Sequence, residues 1–336
     1  MGPNTLLFSM SELSALDPAI DVTVCIVNWQ GAKWLPGCLQ SLREVEGLRL
    51  EVILVDNASS DNSVEIVRAG FPEVEMITNT ENVGFARGNN LAIRKGRGRH
   101  FFLLNNDTIV SKGSLRSLLQ FMEERPRAGM AAGHLVNFDG STQFRYYPIE
   151  LPTLATLCAD LFWLNRNSTS NHIGRGPLAR HWDPDKPYRM EQVPGACILI
   201  RREAFENFGL FDEGYQFWYE DVDLCARCLR AGWEIWYVPE ARIVHYGGAG
   251  AKQLGFSKRS LLRFRGMLRF AGRYFSRGQF LMLKLVVAVV LMLRLPLVVA
   301  ASLWPSARMK SVWKGAGKAY LQLMRDLVHP VETRCL

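Results

Sequence analysis

The sequence lacks the features that mark secreted, disulfide-bonded and P-loop proteins. Its N-terminus has no basic segment followed by an apolar stretch, so we expect no signal peptide. The seven cysteines have no regular spacing, and neither a Gly-Lys-Ser/Thr loop nor a Gly-x-Gly-x-x-Gly fingerprint occurs. These absences favour a reducing, cytoplasmic location and exclude the commonest phosphate-binding loops.

Acidic residues are missing from one long stretch, between Glu240 and Asp326. Residues 241–336 contain 17 Lys and Arg against 2 Asp and Glu, a net charge of +15. Residues 1–240 contain 23 against 30, a net charge of −7. In the basic part, bulky apolar residues alternate with Lys and Arg over 258–277. Such a helix suits an anionic lipid surface, so we expect residues 258–314 to contact a membrane.

Residues 280–304 are almost wholly apolar, but Lys284 and Arg294 interrupt them and Pro296 is expected to break the helix. Charges near the centre of a span are costly, which favours a re-entrant or in-plane segment. A true span and a buried core helix stay open. Tryptophans and basic residues over 304–314 fit an interfacial belt. We therefore expect a peripheral or monotopic protein on the cytoplasmic face of the cell membrane, with no nucleic acid as partner.

Apolar runs alternate with helical patterns over the first 136 residues. The predicted strands are 22–27, 51–55, 74–78, 101–104 and 129–136. The predicted helices are 32–46, 62–70, 85–95 and 114–125, with Asp61 as the cap of the second. This order predicts an α/β fold with a Rossmann-like, mostly parallel sheet flanked by helices.

The second half of the chain is less regular. Residues 150–190 are rich in Pro, Asn, Arg and Trp and are interpreted as a long loop that covers a site. Further strands are expected at 192–200, 235–238 and 242–245, and a helix begins within 217–229. The predicted organisation is an N-terminal extension over 1–20, an α/β domain over 21–250 and a basic, apolar helical region over 251–336.

Carboxylates follow directly on apolar or aromatic residues at several points. Asp56 ends the second predicted strand, Asp107 follows the fourth, and Glu220 and Asp221 follow an aromatic triplet. Ionised carboxylates are costly to bury unless a cation or a hydrogen-bond donor compensates them. Open α/β sheets bind ligands at the carboxyl ends of their strands. The sequence therefore predicts a site at that edge.

Four segments resemble those of a known family. They are Val55–Asp61, Asn82–Asn89, Leu104–Asp107 and Glu220–Asp223, in this order. Over residues 20–250 the chain resembles family 2 glycosyltransferases, in particular their rhamnosyltransferase-type branch. The resemblance implies a GT-A fold, with a nucleotide-binding half over 21–110 and an acceptor half over 111–250. It also implies a nucleotide-sugar donor, a divalent metal (Mg²⁺ or Mn²⁺) and inversion at the anomeric carbon.

The donor-binding residues follow from this resemblance. Asp56 would accept the imide N–H of uracil or thymine, and Arg87 would reach the base or the diphosphate. The alternatives are a turn or capping aspartate and a surface arginine. The other predicted members of the nucleotide-sugar-binding set are Asn28, Asn82, Asn105 and Asn106.

Asp107 is the expected metal ligand, because hard divalent cations prefer oxygen and offset the charge of a diphosphate leaving group. The family triplet is often Asp-x-Asp, but Asn105 occupies its first position here and leaves a single carboxylate. The resemblance implies His245 as a further metal contact. The alternatives are a turn aspartate and a structural histidine.

Asp221 is implied as the general base, since an inverting transfer needs one carboxylate to take the proton of the acceptor hydroxyl. Glu220 would assist by holding a helix N-terminus or the acceptor sugar. The alternative is that these carboxylates are only first-turn helix charges. The residues expected near the donor or acceptor sugar are Gly195, Ala196, Trp218 and Tyr219.

The sequence bears on three classes of function. The resemblance favours transfer of L-rhamnose from dTDP-rhamnose to a lipid-linked or cell-envelope glycan, with galactofuranose, glucose or N-acetylhexosamine donors still possible. A sugar nucleotidyltransferase would need a basic Gly-rich loop after the first strand, and Asn28–Gly31 matches this poorly. A non-catalytic binding module would need neither Asp107 nor Asp221. The oligomeric state is not predicted.

Overall fold

The structure, a computed structural model, describes residues 13–144, 150–162, 182–247, 253–302 and 307–328. Within these ranges nine strands form one sheet. The strands are β1 (Val22–Asn28), β2 (Leu50–Asp56), β3 (Glu75–Thr78), β4 (His100–Asn105), β5 (Thr108–Val110), β6 (Ala128–Val136), β7 (Tyr188–Met190), β8 (Cys197–Arg201) and β9 (Glu234–His245).

Helices flank this sheet and continue beyond it. They are α1 (Leu35–Arg43), α2 (Ser63–Gly70), α3 (Phe85–Lys95), α4 (Ser114–Glu123), α5 (Leu154–Leu161), α6 (Arg202–Phe208), α7 (Glu220–Arg230), α8 (Phe256–Tyr274), α9 (Arg277–Ser302) and α10 (Ala307–Val328).

The sheet has the strand order β3-β2-β1-β4-β8-β6-β9-β5, and β7 pairs with β9. β1 to β4 are mutually parallel, and the nearly continuous burial of β1, β2 and β4 explains their apolar sequences, whereas β3 is only half-buried. β8 runs antiparallel to both β4 and β6, whereas β6 and β9 are parallel. The predicted α/β class is therefore confirmed, with parallel pairing concentrated in the first half of the sheet.

The register of the parallel strands brings their polar ends together. Asn28 of β1 is level with Asp56 of β2, and Val27 is level with Asn105 of β4. Asp107 follows in the short connection to β5, whose Thr108 is level with His245 of β9. One edge of the sheet thus carries Asn28, Asp56, Asn105, Asp107 and His245.

Several local predictions were wrong. The two short strands expected at 235–238 and 242–245 are one strand, β9, with an irregularity opposite Gly133 and His134 that falls at Pro239. Asn62 occupies the N-cap of α2, while Asp61 accepts the backbone N–H groups of Ala32 and Ser63. The region 150–190 contains α5 and β7 in its described parts, and its residues 163–181 lie outside the described ranges.

Helices α5, α8, α9 and α10 pack around an apolar cluster of their own. The buried members are Leu157, Leu161, Phe264, Met267, Ala271, Leu283, Val287, Val290, Leu291, Tyr320, Leu323 and Leu327. Pro296 lies inside α9, so the prediction that it ends the helix was wrong. In the described chain, Arg277–Pro296 is the one helix segment long and apolar enough to cross a membrane, judged by length and composition alone.

The basic residues of α8 are used largely within the protein. Arg263 pairs with Asp160 of α5, and Arg265 pairs with Asp326 of α10 at 2.8 Å. Arg269 and Arg273 pair with acidic residues that flank α7 and lie within it. These four arginines therefore have acidic partners within the protein, and contact of the basic helix with a membrane stays a prediction. The expected belt over 304–314 lies outside the described side chains.

Candidate active site

Asn28, at the end of β1, joins the polar groups of two neighbouring strands. Its Nδ2 donates to Asp56 Oδ1 at 2.7 Å, and its Oδ1 accepts from Asn106 Nδ2 at 2.7 Å. Gly31 makes room for this pair, because an added Cβ would lie 2.0 Å from Asn28 Oδ1. Sequence reasoning gave Gly31 no such role, since the close approach comes from residues distant in the chain.

The buried Asp56 carboxylate is compensated by three hydrogen-bond donors. Besides Asn28, Ser59 donates its hydroxyl to Oδ1 at 2.6 Å and its backbone N–H to Oδ2 at 2.9 Å. A carboxylate oxygen can accept two hydrogen bonds, so Oδ2 retains capacity for one more donor. This arrangement can hold an imide N–H, as predicted for a pyrimidine base.

The other predicted donor residues lie along the start of α3. Asn82 Oδ1 accepts the Gly84 N–H at 3.0 Å, which makes Asn82 a turn residue. Gly84 has φ +87° and lies so close to Gln216 that a Cβ would be 2.8 Å from its carbonyl oxygen. Arg87, on the first turn of α3, lies with its Nε 3.8 Å from Glu213 Oε2. Donor contact by Asn82 and Arg87 stays a prediction.

Asp107 and His245 form the predicted metal-binding pair. Both are buried, and His245 Nε2 lies 3.5 Å from Asp107 Oδ1. The pairing of β5 with β9 and a hydrogen bond from Tyr246 N to the Asp107 carbonyl at 2.9 Å hold them together. Sequence spacing could not place two residues 138 positions apart, but the antiparallel register does so directly.

Gln143 fixes the orientation of the His245 ring and was missed by the sequence analysis. Its Nε2 donates to the backbone carbonyl of His245 at 2.6 Å and to the side-chain Oδ1 of Asn137 at 2.9 Å. Its Oε1 therefore faces His245 Nδ1, at 3.0 Å. This contact suits a proton on Nδ1, and Nε2 is the ring nitrogen directed toward Asp107.

This pair could bind a divalent cation whose remaining coordination positions are filled by the substrate. Among the described residues no group of three or more His, Cys, Asp or Glu side chains could hold a metal. Mg²⁺ is commonly bound through one or two carboxylates together with substrate phosphates and water. Asp107 and His245 would thus supply two ligands, and a donor diphosphate would supply others.

The turn before α7 has an unusual backbone. Trp218 and Tyr219 have φ values of +67° and +72°, a left-handed conformation that costs non-glycine residues about 1–3 kcal/mol each. The Tyr219 ring packs against Phe270 of α8, with centroids 5.9 Å apart, and Trp218 packs edge-on against Phe217. Contact of either ring with a sugar stays a prediction. Strain of this kind persists only where the surroundings hold it.

Asp221 follows this turn as the second residue of α7. Its Oδ2 accepts the backbone N–H of Gly195 at 3.0 Å, and its Oδ1 accepts that of Val222 at 2.9 Å. Burial raises the pKa of the Asp221 carboxyl above its usual range, and these N–H groups counteract part of the rise. A carboxylate held in one orientation with an elevated pKa suits a general base.

Gly195 and Ala196 link this carboxylate to the strand edge. The Ala196 carbonyl accepts the Asn105 N–H at 2.9 Å, where β8 runs beside β4. A Cβ on Gly195 would lie 3.4 Å from Asp221 Oδ2, an ordinary contact distance. Gly195 and Ala196 thus lie between Asp221 and the strand edge, and their contact with the donor or acceptor sugar stays a prediction.

Glu220 is the first residue of α7 and is buried. Burial first, and then the charge of Asp221, raise the pKa of the Glu220 carboxyl well above its usual range. Its Oε2 has no hydrogen-bond partner among the described residues. Ionisation of Glu220 is therefore opposed more strongly than that of Asp221, whose rise in pKa is limited by two backbone N–H groups.

The larger part of the α/β fold matches a known family. The sequence profile described as glycosyl transferase family 2 matches residues 23–209, more than half of the chain. The chain belongs to this family. It is 28% identical to the N-acetylglucosaminyl-diphospho-decaprenol L-rhamnosyltransferase of Mycobacterium tuberculosis over 246 residues, 66% of this chain and 75% of that one. It is 26% identical to the rhamnosyltransferase WbbL of Escherichia coli K12 over 206 residues, 59% of this chain and 72% of that one.

Solved structures support the same fold. The mannosyltransferase PcManGT from Pyrobaculum calidifontis, in complex with GDP-Man and Mn²⁺, is similar with a TM-score of 0.53 and 18% identity, over 94% of this chain and 86% of that one. GalNAc-T7 with UDP, GalNAc and Mn²⁺ is also similar, with a TM-score of 0.56 and 14% identity over 94% of this chain and 59% of that one. The protein is therefore a glycosyltransferase with a GT-A fold.

Proposed function

We propose that this family 2 glycosyltransferase transfers L-rhamnose from dTDP-L-rhamnose to a lipid-linked glycan precursor of the cell envelope, with inversion at the anomeric carbon. The names of two relatives, an L-rhamnosyltransferase that acts on a diphospho-decaprenol lipid and the rhamnosyltransferase WbbL, support the sugar and the acceptor class. The main structural support for the transfer reaction is the position of the Asp221 carboxylate, which accepts the Gly195 N–H next to the strand edge.

In this proposal the donor lies along the carboxyl ends of β1, β2 and β4. Asp56 accepts the thymine imide N–H through its remaining acceptor position, and Asn28 and Asn106 fix the floor beneath the nucleotide. Arg87 lies at the rim and can exchange its partner Glu213 for the diphosphate. These roles follow from position and hydrogen-bonding capacity.

Asp107 and His245 bind the divalent cation together with the diphosphate. A cation held there would neutralise charge on the leaving nucleoside diphosphate, so that the leaving group would need no protonation. Asn105 occupies the first position of the family triplet and supplies no second carboxylate to the cation. Its backbone N–H donates to the Ala196 carbonyl.

Asp221 takes the proton from the acceptor hydroxyl while that oxygen attacks the anomeric carbon from the side opposite the leaving group. The new bond joins the acceptor oxygen to the sugar, the bond to the diphosphate oxygen breaks, and the proton stays on Asp221. A raised pKa makes the carboxylate a better proton acceptor than an exposed aspartate.

A different nucleotide sugar is the main alternative. Galactofuranose, glucose or N-acetylhexosamine donors would leave the fold and the roles of Asp107 and Asp221 unchanged. A sugar nucleotidyltransferase receives no support, since the relatives and the family are glycosyltransferases.

The lipid-linked acceptor implies a protein bound to the cytoplasmic face of the membrane. One face of α9 exposes large apolar side chains to solvent; these are Leu281, Met282, Leu285, Met292 and Leu293. Lys258, Arg259 and Arg277 form no ion pair with a carboxylate in the described ranges and can contact anionic lipid. We propose that this face, termed the exposed α9 face, lies in the membrane interface without crossing it.

The first test is donor use by the wild type and Asp221→Asn. The assay supplies dTDP-rhamnose, UDP-galactofuranose, UDP-glucose or UDP-N-acetylglucosamine with Mn²⁺, Mg²⁺ or EDTA, and a polyprenyl-diphospho-N-acetylglucosamine acceptor. We expect metal-dependent transfer from dTDP-rhamnose, and a loss of kcat of about 10²–10⁴-fold in Asp221→Asn. The dissociation constant of the donor should change less than threefold.

Asp139→Asn is the matched control, because Asp139 lies in an exposed turn. It should retain the wild-type rate. Transfer from another donor would discard rhamnose and keep the mechanism, whereas full activity of Asp221→Asn would overturn the assignment of the base.

A further inference from the structure

We propose that α8, the first helix of the basic C-terminal region, is a positioning element of the catalytic centre, with Gly266 and Arg273 as its positioning residues. The inference rests on the proposed role of Asp221 and adds to it a part of the chain beyond the matched family region, which ends at residue 209. It is carried by two independent contacts, one to the strained turn and one to α7.

The first contact is a close approach between backbones. Gly266 lies against the Trp218–Tyr219 turn so closely that an added Cβ would be 2.7 Å from the Trp218 carbonyl oxygen. The same Cβ would be 3.2 Å from the Tyr219 ring. Because the turn has two consecutive left-handed residues, it needs such external support to persist.

The second contact is a buried charge cluster, defined here as the Asp223 cluster. Asp223, two residues after Asp221, is fully buried and accepts from Arg227 Nε at 2.8 Å within α7. From α8, Arg273 donates to it at 3.1 Å and the Tyr274 hydroxyl at 2.8 Å. An ionised carboxylate without solvent depends on these donors, so α8 fixes the first turn of α7.

Apolar packing reinforces this cluster. Phe270 lies one turn from both Gly266 and Arg273 and is buried against Tyr215, Val222 and Ala226. Arg269 adds a two-pronged ion pair with Asp212, at 3.0 Å and 2.9 Å. Helix α8 therefore contacts the segment that presents Asp221 both before and after that residue.

The orientation of Asp221 depends on this support. Its carboxylate accepts the backbone N–H of Gly195, and the position of the first turn of α7 determines the distance between these two groups. A shift of the turn by a few tenths of an ångström would misplace the proton acceptor relative to the acceptor hydroxyl, and rate is sensitive to such misplacement. Donor binding at Asp56 and Asp107 lies on other elements and should be unaffected.

A pair of glycine variants tests the first contact. Gly266→Ala forces its Cβ against the Trp218 carbonyl, whereas a Cβ on Gly272, in the same helix, would meet the Phe280 ring at an ordinary 3.5 Å. We expect Gly266→Ala to lower kcat at least tenfold with KM and dissociation constant for the donor changed less than threefold. Gly272→Ala should retain the wild-type kcat. Equal rates for the two variants would overturn the role of Gly266.

A pair of arginine variants tests the second contact. Arg273→Met removes a donor from Asp223, whereas Arg265→Met breaks an ion pair of the same helix with Asp326 of α10. We expect a similar fall in melting temperature for both, but a loss of kcat of at least tenfold only in Arg273→Met. Arg273→Lys should recover part of the rate. A loss shared equally by both variants would reduce α8 to a structural role and overturn the proposal.

Hydrogen exchange separates this inference from the assignment of function. In Gly266→Ala and Arg273→Met, amide exchange over residues 216–224 should accelerate at least tenfold, with the edge of β1 and β2 unchanged. This readout needs no substrate. If the wild type transfers no sugar, the proposed function fails while the exchange result still decides the contact. Unchanged exchange over 216–224 would refute the positioning role whatever the activity.

Discussion

At the scale of single residues, the adjacent carboxyls Glu220 and Asp221 differ in what compensates them. Backbone N–H groups of Gly195 and Val222 stabilise the charge of Asp221. Glu220 is buried, and both burial and the Asp221 charge oppose its ionisation. Of the two, Asp221 is therefore the carboxyl whose ionised form the protein stabilises, and it is the one suited to accept a proton.

This difference predicts how Glu220→Gln changes the pH dependence of stability. Because the Glu220 pKa is raised in the folded state, the folded protein holds a proton that the unfolded chain releases above about pH 4.3. The free energy of unfolding should therefore fall as pH rises from that value toward the raised pKa. Glutamine does not titrate, so Glu220→Gln should lose less stability than the wild type between pH 5 and pH 8.

Denaturant unfolding at both pH values measures this difference. Glu203→Gln is the control, because Glu203 is exposed in the first turn of α6 and should follow the wild type. Identical pH dependence of Glu220→Gln and the wild type would show that Glu220 is ionised in the folded protein.

The contacts of Gln143 with His245 predict that substitution of Gln143 changes the affinity for the metal rather than the stability of the fold. It is a positioning residue for His245, holding the ring through Nδ1 and the carbonyl. Loss of such a partner typically weakens metal binding about 10–100-fold. We expect Gln143→Leu to weaken Mn²⁺ binding by that factor in the presence of dTDP, measured by paramagnetic resonance of free Mn²⁺.

Thr142→Val is the matched control for Gln143→Leu, since the Thr142 hydroxyl contacts His134 and not His245. It should bind Mn²⁺ as the wild type does. Unaltered affinity in Gln143→Leu would remove Gln143 from the metal site.

The sequence could select candidate site residues only where their signal is local. Asp56 and Asp107 stand where apolar strands end, and Asp221 follows an aromatic triplet, so pattern and resemblance together select them. Gln143 and Arg273 carry no such signal. Their partners lie 102 and 50 positions away, and only the packing of β9 and α8 brings them together.

At the scale of elements, the regular alternation of the first half made its strands and helices predictable to within a few residues. Helix α3, over Phe85–Lys95, was predicted without error. Prediction failed where tertiary packing overrides local preference. Pro296 is tolerated inside α9, and Pro239 is tolerated within β9 beside an irregularity of the ladder.

Helix α8 is also an element of the core, which predicts a large effect of Phe270→Ala. Phe270 is buried between α7 and α8, and removal of a buried phenylalanine side chain typically costs about 3–5 kcal/mol. We expect the free energy of unfolding to fall by that amount. Leu268→Ala, at a half-buried position of the same helix, should cost less. Equal costs would mean that α8 does not pack on α7 in solution.

At the scale of the whole molecule, some of the basic residues of the C-terminal region form ion pairs with acidic residues of the α/β domain. Arg269 and Arg273 join α8 to Asp212 and Asp223 of the acidic α/β domain. The predicted domain boundary at residue 250 thus separates segments of sequence that are packed together in space, which charge counting alone could not reveal. The positive charge left for a membrane is smaller than the +15 suggests.

The exposed α9 face is consequently the main determinant of the proposed membrane binding. Its large side chains recur at helical spacing, while the opposite face, with Leu283 and Val287, is buried against the other helices. A helix packed on one face and apolar on the other suits an interface better than a span. Arg294 supports this arrangement, because it donates to the Leu161 carbonyl of α5 and ties the middle of the apolar segment to the protein.

Flotation with phosphatidylglycerol vesicles tests this arrangement. A half-exposed leucine that leaves water contributes about 1 kcal/mol, so Leu285→Ser should weaken partitioning about fivefold. A combined Leu281→Ser, Leu285→Ser and Leu293→Ser variant should nearly abolish it. Leu16→Ser, which alters an exposed leucine of the N-terminal extension, should bind as the wild type does. Because only part of the basic stripe is available, binding should weaken with salt but persist. Undiminished flotation of the triple variant would locate the membrane contact elsewhere, and complete release by salt would make it electrostatic instead of apolar.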